Sequence, residues 1–169
     1  MAIYYGDGSN SSSGRVIQVV QDVTTDALTG SANNSYNDLS SCLRLYITPK
    51  ESASKILLIG HVSFMGYNAR DAQGWSFFKN NSILGGARGG SNGSRTRITA
   101  AGYLSDNDNT LMLSNAYLDS PNTTSQIQYD IRFFSYNNNT VGVNRSWNNN
   151  DDANHTCNLS SITALEIAA

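Results

Sequence analysis

The residues of this chain best suited to chemistry are few, and their spacing argues against most uses. Cys42, His61, His155 and Cys157 are the soft metal ligands available. His155 and Cys157 have a single residue between them, whereas structural zinc motifs separate paired ligands by roughly two to four, so no zinc site is expected and both histidines read as ordinary polar residues. In "SDNDNT", Asp106 and Asp108 have the spacing of the first two ligands of a calcium loop, but the turn glycine and the closing glutamate are missing, which favours a solvated turn. Of the carboxylates, Asp26, Asp38, Asp71, Asp119, Asp151 and Asp152 fall in expected turns, where exposure keeps titration ordinary. Asp130 and Glu166 fall in strands, and Asp130 beside Arg132 reads as a surface ion pair rather than half of a glycosidase acid/base pair.

The glycine-rich "LGGARGGSNGSR", residues 84–95, lacks the Gly-Lys-Ser/Thr and the following helix that a phosphate cradle requires, so a surface loop is expected. No Gly-x-Ser-x-Gly and no cofactor fingerprint occurs. The expectation is a non-enzyme with no catalytic residue, cofactor or metal. A saccharide platform needs an exposed aromatic ring beside acidic and amide groups, and Trp147 in its Asn-rich loop is the candidate; Trp75 reads more strongly as a core or interface anchor.

Positioning falls to strands. Helical periodicity is absent, while alternation recurs in "RVIQVVQDV", in "CLRLYIT", in "TRITAAGYL" and in "TLMLSNAYL". In "CLRLYIT", Leu43, Leu45 and Ile47 share one face and Arg44 and Tyr46 the wet one. "SKILLIGHVSFMGY" is apolar on both faces and predicts a central strand covered on both sides, with Gly60 marking a bulge or the close approach of another backbone. In "GWSFFKNNSIL" the residues Lys79-Asn80-Asn81-Ser82 predict a hairpin turn. "SQIQYDIRFFS" puts Ile127, Tyr129, Ile131 and Phe133 opposite Gln126, Gln128, Asp130 and Arg132, and "YNNNTVGVN" and "SSITALEIA" complete about eight or nine strands. An all-β, antiparallel two-sheet sandwich follows, and a jelly roll best fits the count, because its crossing connections leave only short edges.

At 169 residues the chain has the length of one domain, and a core can close without staples. Charged residues make up 14% of it, against about 25% usually, and Asn with Ser supply about a quarter. A net charge of −2 with no Lys/Arg run excludes an electrostatic footprint for nucleic acid. Neither a membrane-length apolar run nor a signal-peptide pattern is present, so synthesis in a cytoplasm and no membrane partner are expected. Two cysteines permit at most one bridge, and two buried, free thiols are the expectation.

The two ends stand out. "MAIYYGDGSNSSSG" sets Ile3, Tyr4 and Tyr5 ahead of a Gly/Ser linker, which reads as an extended attachment arm over residues 1–14 joined to a sandwich domain over residues 15–169. At the other end "NLSSITALEIAA" carries strand alternation almost to the last residue, Ile162, Ala164 and Glu166 against Thr163, Leu165 and Ile167. Such a strand must be covered, and Leu165 and Ile167 join Ile3, Tyr4 and Tyr5 as expected assembly contacts.

"GRVIQVVQDVTTD", "LRLYITPKESASKILLIGHVSF" and "SSITALEIAA" together resemble a family of small virion proteins and fibre tips of tailed bacteriophages, especially those of marine bacteria and cyanobacteria. The resemblance covers most of residues 14–169 and is specific at those three stretches. It implies a trimeric jelly-roll ornament of the virion: a capsid decoration or cement protein, a head fibre or a tail-fibre tip. The short arm, in place of a long shaft, favours seating on the major capsid protein. In that setting the closing strand would lie inside the sandwich and near a three-fold axis. A tail-fibre or receptor-binding tip, with a host-surface glycan as partner, is the alternative.

Overall fold

The computed structural model describes residues 14–66, 71–102, 109–137, 139–153 and 155–169. Among them are the strands β1 (Val16–Thr24), β2 (Leu28–Ala32), β3 (Ser35–Asn37), β4 (Arg44–Ile47), β5 (Lys55–Gly66), β6 (Gln73–Lys79), β7 (Ser82–Ile83), β8 (Ala100–Ala101), β9 (Leu111–Asp119), β10 (Ile127–Ser135), β11 (Asn139–Val143) and β12 (Ser160–Ile167). Single 3-10 turns lie at Leu39–Ser41 and Gly85–Ala87, and the described residues contain no α-helix. The expected arm, with Ile3, Tyr4 and Tyr5, lies outside the described residues.

Two six-stranded sheets form, all of their pairings antiparallel. Short strands placed end to end share positions, so each sheet is four positions wide. The first runs β1 and β2, then β12 and β11, then β5, then β9. The second runs β4 and β3, then β10, then β6, then β7 and β8. One long hairpin explains this order: β1/β2 pair with β12/β11, β3/β4 with β10, β5 with β9, and β6 with β7/β8. Rolled into two layers, that ribbon is a jelly roll, as the alternation in the sequence predicts.

The core lies between the inner faces. Ile56, Leu58, Val62 and Phe64 of β5 meet Trp75 and Phe77 of β6 and Ile131 and Phe133 of β10, all fully buried. The closing strand does run inside a sheet, between β1 and β5, and turns Ile162, Ala164 and Glu166 inward.

Two expectations for β5 need correction. It is central in its sheet, yet its outer face is covered only toward its end, where Ser63 and Met65 are buried; before that Leu57 and Ile59 are half-buried and His61 is exposed. Over Leu57 and Ile59 the apolar run records an apolar outer surface, not a second packed layer. Gly60 marks neither a bulge nor a neighbouring backbone, because the pairing with β9 and β12 runs through it without a shift. It faces the core, and a Cβ there would stand 2.6 Å from the Trp75 ring, 3.0 Å from Ile131 and 3.2 Å from Phe77. Gly60→Ala is therefore expected to cost about 1–3 kcal/mol by overpacking, read from the midpoint of urea unfolding.

The abundance of asparagine has a backbone cause. Among the described residues, seven of the ten non-glycine residues at positive φ are Asn, including the adjacent pair Asn80 (φ 47°) and Asn81 (φ 64°) that closes the β6–β7 hairpin. Asn tolerates the left-handed region because its short amide can bond locally to the backbone, and two such residues in succession make the primed turn that suits twisted strands.

Candidate functional site

Each sheet offers one outer face, and the two differ in chemistry. On the first sheet the strand register aligns Val19, Leu165, Leu57 and Leu118 in a single row across β1, β12, β5 and β9. Val19 is 58% exposed and Leu118 50%. Val16, Val23 and Met112 add further exposed apolar area at the margins, and Ile167, half-buried, lies beside Val16. Among the paired residues of these four strands, Lys55 is the one charged side chain in register with the outward rows, and its Nζ bonds the Ser120 hydroxyl at 2.8 Å.

The outer face of the second sheet is locked, aromatic where Tyr36, Phe78 and Phe134 pack together and polar around β4 and the first half of β10. Asp130 is fully buried there, correcting the expectation of a surface ion pair. Arg132 Nε donates to its Oδ2 at 2.5 Å, Gln128 Nε2 donates to its Oδ1 at 3.0 Å, and the Arg44 guanidinium stands 3.8 Å away. Arg132 is held on three sides, because it also donates to Asn81 Oδ1 at 2.6 Å and lies over the Phe78 ring, 4.4 Å from its centroid. Arg44 bonds Asp38 at 3.0 Å. Burial pushes the Asp38 carboxyl up, but Ser41, Arg44 and Arg132 outweigh it and hold the group below the usual range. Tyr46, 50% exposed, occupies the same face, and its hydroxyl approaches Gln128 Oε1 at 3.4 Å.

Two further carboxylates are structural. Asp119, expected in an exposed turn, ends β9 buried, accepting from Tyr129 Oη at 2.5 Å and from Lys79 Nζ at 2.8 Å. Burial, reinforced by that bond and by the Asp119 charge, pushes the Tyr129 phenol well up. Glu166 is fully buried and accepts from Gln18 Nε2 at 2.5 Å and from the amides of Lys50 at 2.8 Å and Glu51 at 3.2 Å. Burial alone would raise its pKa, yet Gln18, Ser54 and the two amides together hold the carboxylate below its ordinary range.

The remaining sequence candidates are dispersed. His61 points to solvent from β5, while His155 Nδ1 lies 2.8 Å from Asp152. Both cysteines are free, but the expectation that both are buried holds only in part: Cys157 is exposed, while Cys42 packs against the core, where burial first and the nearby Asp22 and Asp38 second push its thiol up to about 12. Asp106 and Asp108 lie outside the described residues. Among the described residues no group of three or more His, Cys, Asp or Glu is arranged to hold a metal ion, and no helix is long and apolar enough to cross a membrane. Trp75 is core. Trp147 is half-buried just beyond β11, its carbonyl accepting from Arg145 Nη2 at 2.8 Å. Of the expected assembly residues, Leu165 and Ile167 do lie on the outer face, half-buried.

Sequence reasoning passed over Tyr46 as a site residue. The signal was present in the alternation of "CLRLYIT", which puts Arg44 and Tyr46 on the wet face. What it lacks is the pairing Tyr46↔Gln128 that sets the ring beside the Gln128 amide, with the Asn80-Asn81 turn on the other side of that residue. A comparison of the sequence with protein-family models finds none that matches, and no curated protein matches it significantly.

Proposed function

We propose that this chain is a structural subunit of a tailed-bacteriophage particle, a capsid decoration or cement protein that assembles as a homotrimer and seats on the major capsid protein of the shell. The observation that carries this reading is the apolar row Val19, Leu165, Leu57 and Leu118 on an outer face almost free of charge. Apolar area in one continuous row favours association, and the lack of charge lets identical faces approach without repulsion. Its work is mechanical: many modest contacts repeated across a shell resist pressure from within.

Size refines the reading. Four strands about 4.8 Å apart and eight residues long at about 3.3 Å each give a face of roughly 500 Å², whereas a stable interface takes about 800 Å² per partner. The sheet face alone falls short, and the apolar Ile3-Tyr4-Tyr5 segment is the natural supplement. A chain beginning at Gly14 is accordingly expected to remain folded, since the first described strand starts at Val16, but to lose most of its attachment to particles stripped of the native subunit. Co-sedimentation after add-back measures this. Full-strength attachment by the shortened chain would remove the arm from the reading, and failure of the full chain to co-sediment at all would remove the particle.

A further inference from the structure

The buried carboxylate on the outer face of the second sheet has no bearing on assembly through the first, and it needs its own explanation. A carboxylate taken from water is costly unless every partner is in place. Here Asp130 is surrounded by Gln128, Arg132 and Arg44, and the result is a row of polar side chains fixed in orientation on rigid strands. Such rigidity is what a binding surface requires, because the ordering cost is met before the ligand arrives.

From this geometry we infer that Tyr46, Gln128, Asn81 and Arg132 form a binding site for a neutral saccharide, with one pyranose ring stacked on the Tyr46 ring. Tyr46 offers a half-exposed aromatic surface of the kind that takes the C–H face of a sugar. Beside it stands the Gln128 carboxamide, 3.4 Å from the hydroxyl, and from there the polar row continues across β10 to Asn81 and Arg132, tied together by the bonds from Gln128 and Arg132 to Asn81 Oδ1 at 3.4 and 2.6 Å. Carboxamides both donate and accept, as sugar hydroxyls do, and Arg132 has N–H groups beyond those used on Asp130 and Asn81. Neutrality follows from the charges: Arg44 and Arg132 are offset by Asp38 and Asp130 within the same network. The site does not rest on the particle reading, since it uses only the geometry of one sheet face.

The test is an NMR titration of the full-length protein with D-glucose, D-galactose, D-mannose and N-acetyl-D-glucosamine, each to roughly 50 mM, the range in which a single-ring site saturates. At least one sugar is expected to shift the side-chain amides of Gln128 and Asn81 and the Nε–H of Arg132. Tyr46→Ala should weaken that binding about tenfold or more, and Tyr46→Phe, which keeps the ring, by no more than about threefold. Tyr136→Ala, which removes another exposed tyrosine about 27 Å along β10 by strand rise, should leave it unchanged. Tyr46 is exposed, so its variants should melt within about 3 °C of the parent. If none of the four sugars moves these signals, if the shifts fall elsewhere, or if Tyr46→Ala binds as tightly as the parent, the site is refuted.

Discussion

Glu166→Ala is expected to lower stability by about 2–3 kcal/mol, because it removes the shared acceptor of three part-buried donors: the N–H groups of Lys50 and Glu51, and the Gln18 amide, which keeps only its bond to the Thr48 carbonyl at 2.8 Å. This side chain ties β12 to β1 and to the loop ahead of β5, so the loss falls on the closing strand. Glu166→Gln keeps an acceptor for both backbone amides, and a smaller loss of about 1–2 kcal/mol is expected. The pH dependence carries a definite sign. The folded carboxylate sits below its ordinary value of 4.5, so its contribution is complete above that pH and is lost as pH falls through the folded value. The parent should therefore lose stability below about 4.5 more steeply than Glu166→Gln. Urea midpoints at one fixed protein concentration, taken across that range, measure both effects; equal acid slopes would show that Glu166 is not the group being titrated.

The second large effect concerns the apolar row. Val19→Asp with Leu118→Asp places two carboxylates on the outer face at its two most exposed apolar positions, 58% and 50%. Neither side chain belongs to the core cluster, so the fold should persist with its unfolding midpoint nearly unchanged. Association should weaken at least a hundredfold, because each substitution removes apolar area and forces a charge either to desolvate or to hold the surfaces apart. Circular dichroism checks the fold and sedimentation velocity the association. A doubly substituted chain that still associates like the parent would move the interface to another surface.

Much of the fold was legible because alternation reports directly on a half-buried strand. In "SQIQYDIRFFS" the four residues assigned inward, Ile127, Tyr129, Ile131 and Phe133, are all buried, and β4 separates its faces as its pattern requires. Periodicity is silent on what stands above a face, and the errors gather there. For β5 a doubly apolar run reads as doubly covered, which holds at Met65 but not at Leu57 and Ile59, where a half-exposed apolar surface writes the same letters. For Asp130 a polar position was read as wet, although Arg132, Gln128 and Arg44 close over it. Gly60 was read through backbone rules when its cause is the Trp75 ring from the opposite sheet, a contact between residues distant in sequence. The turn at Leu39–Ser41, where three successive residues take positive φ and Leu39 is nonetheless buried, has no local signature at all. Leu39 is held there by its core contacts and by the bond from its amide to Asn37 Oδ1 at 2.7 Å.

The central claim, a subunit that assembles through the outer face of its first sheet, is tested most directly by static light scattering of the purified full-length protein at micromolar concentration. The reading predicts a mass three times the 18.3 kDa of one chain. A mass of 18.3 kDa across that concentration range would contradict it.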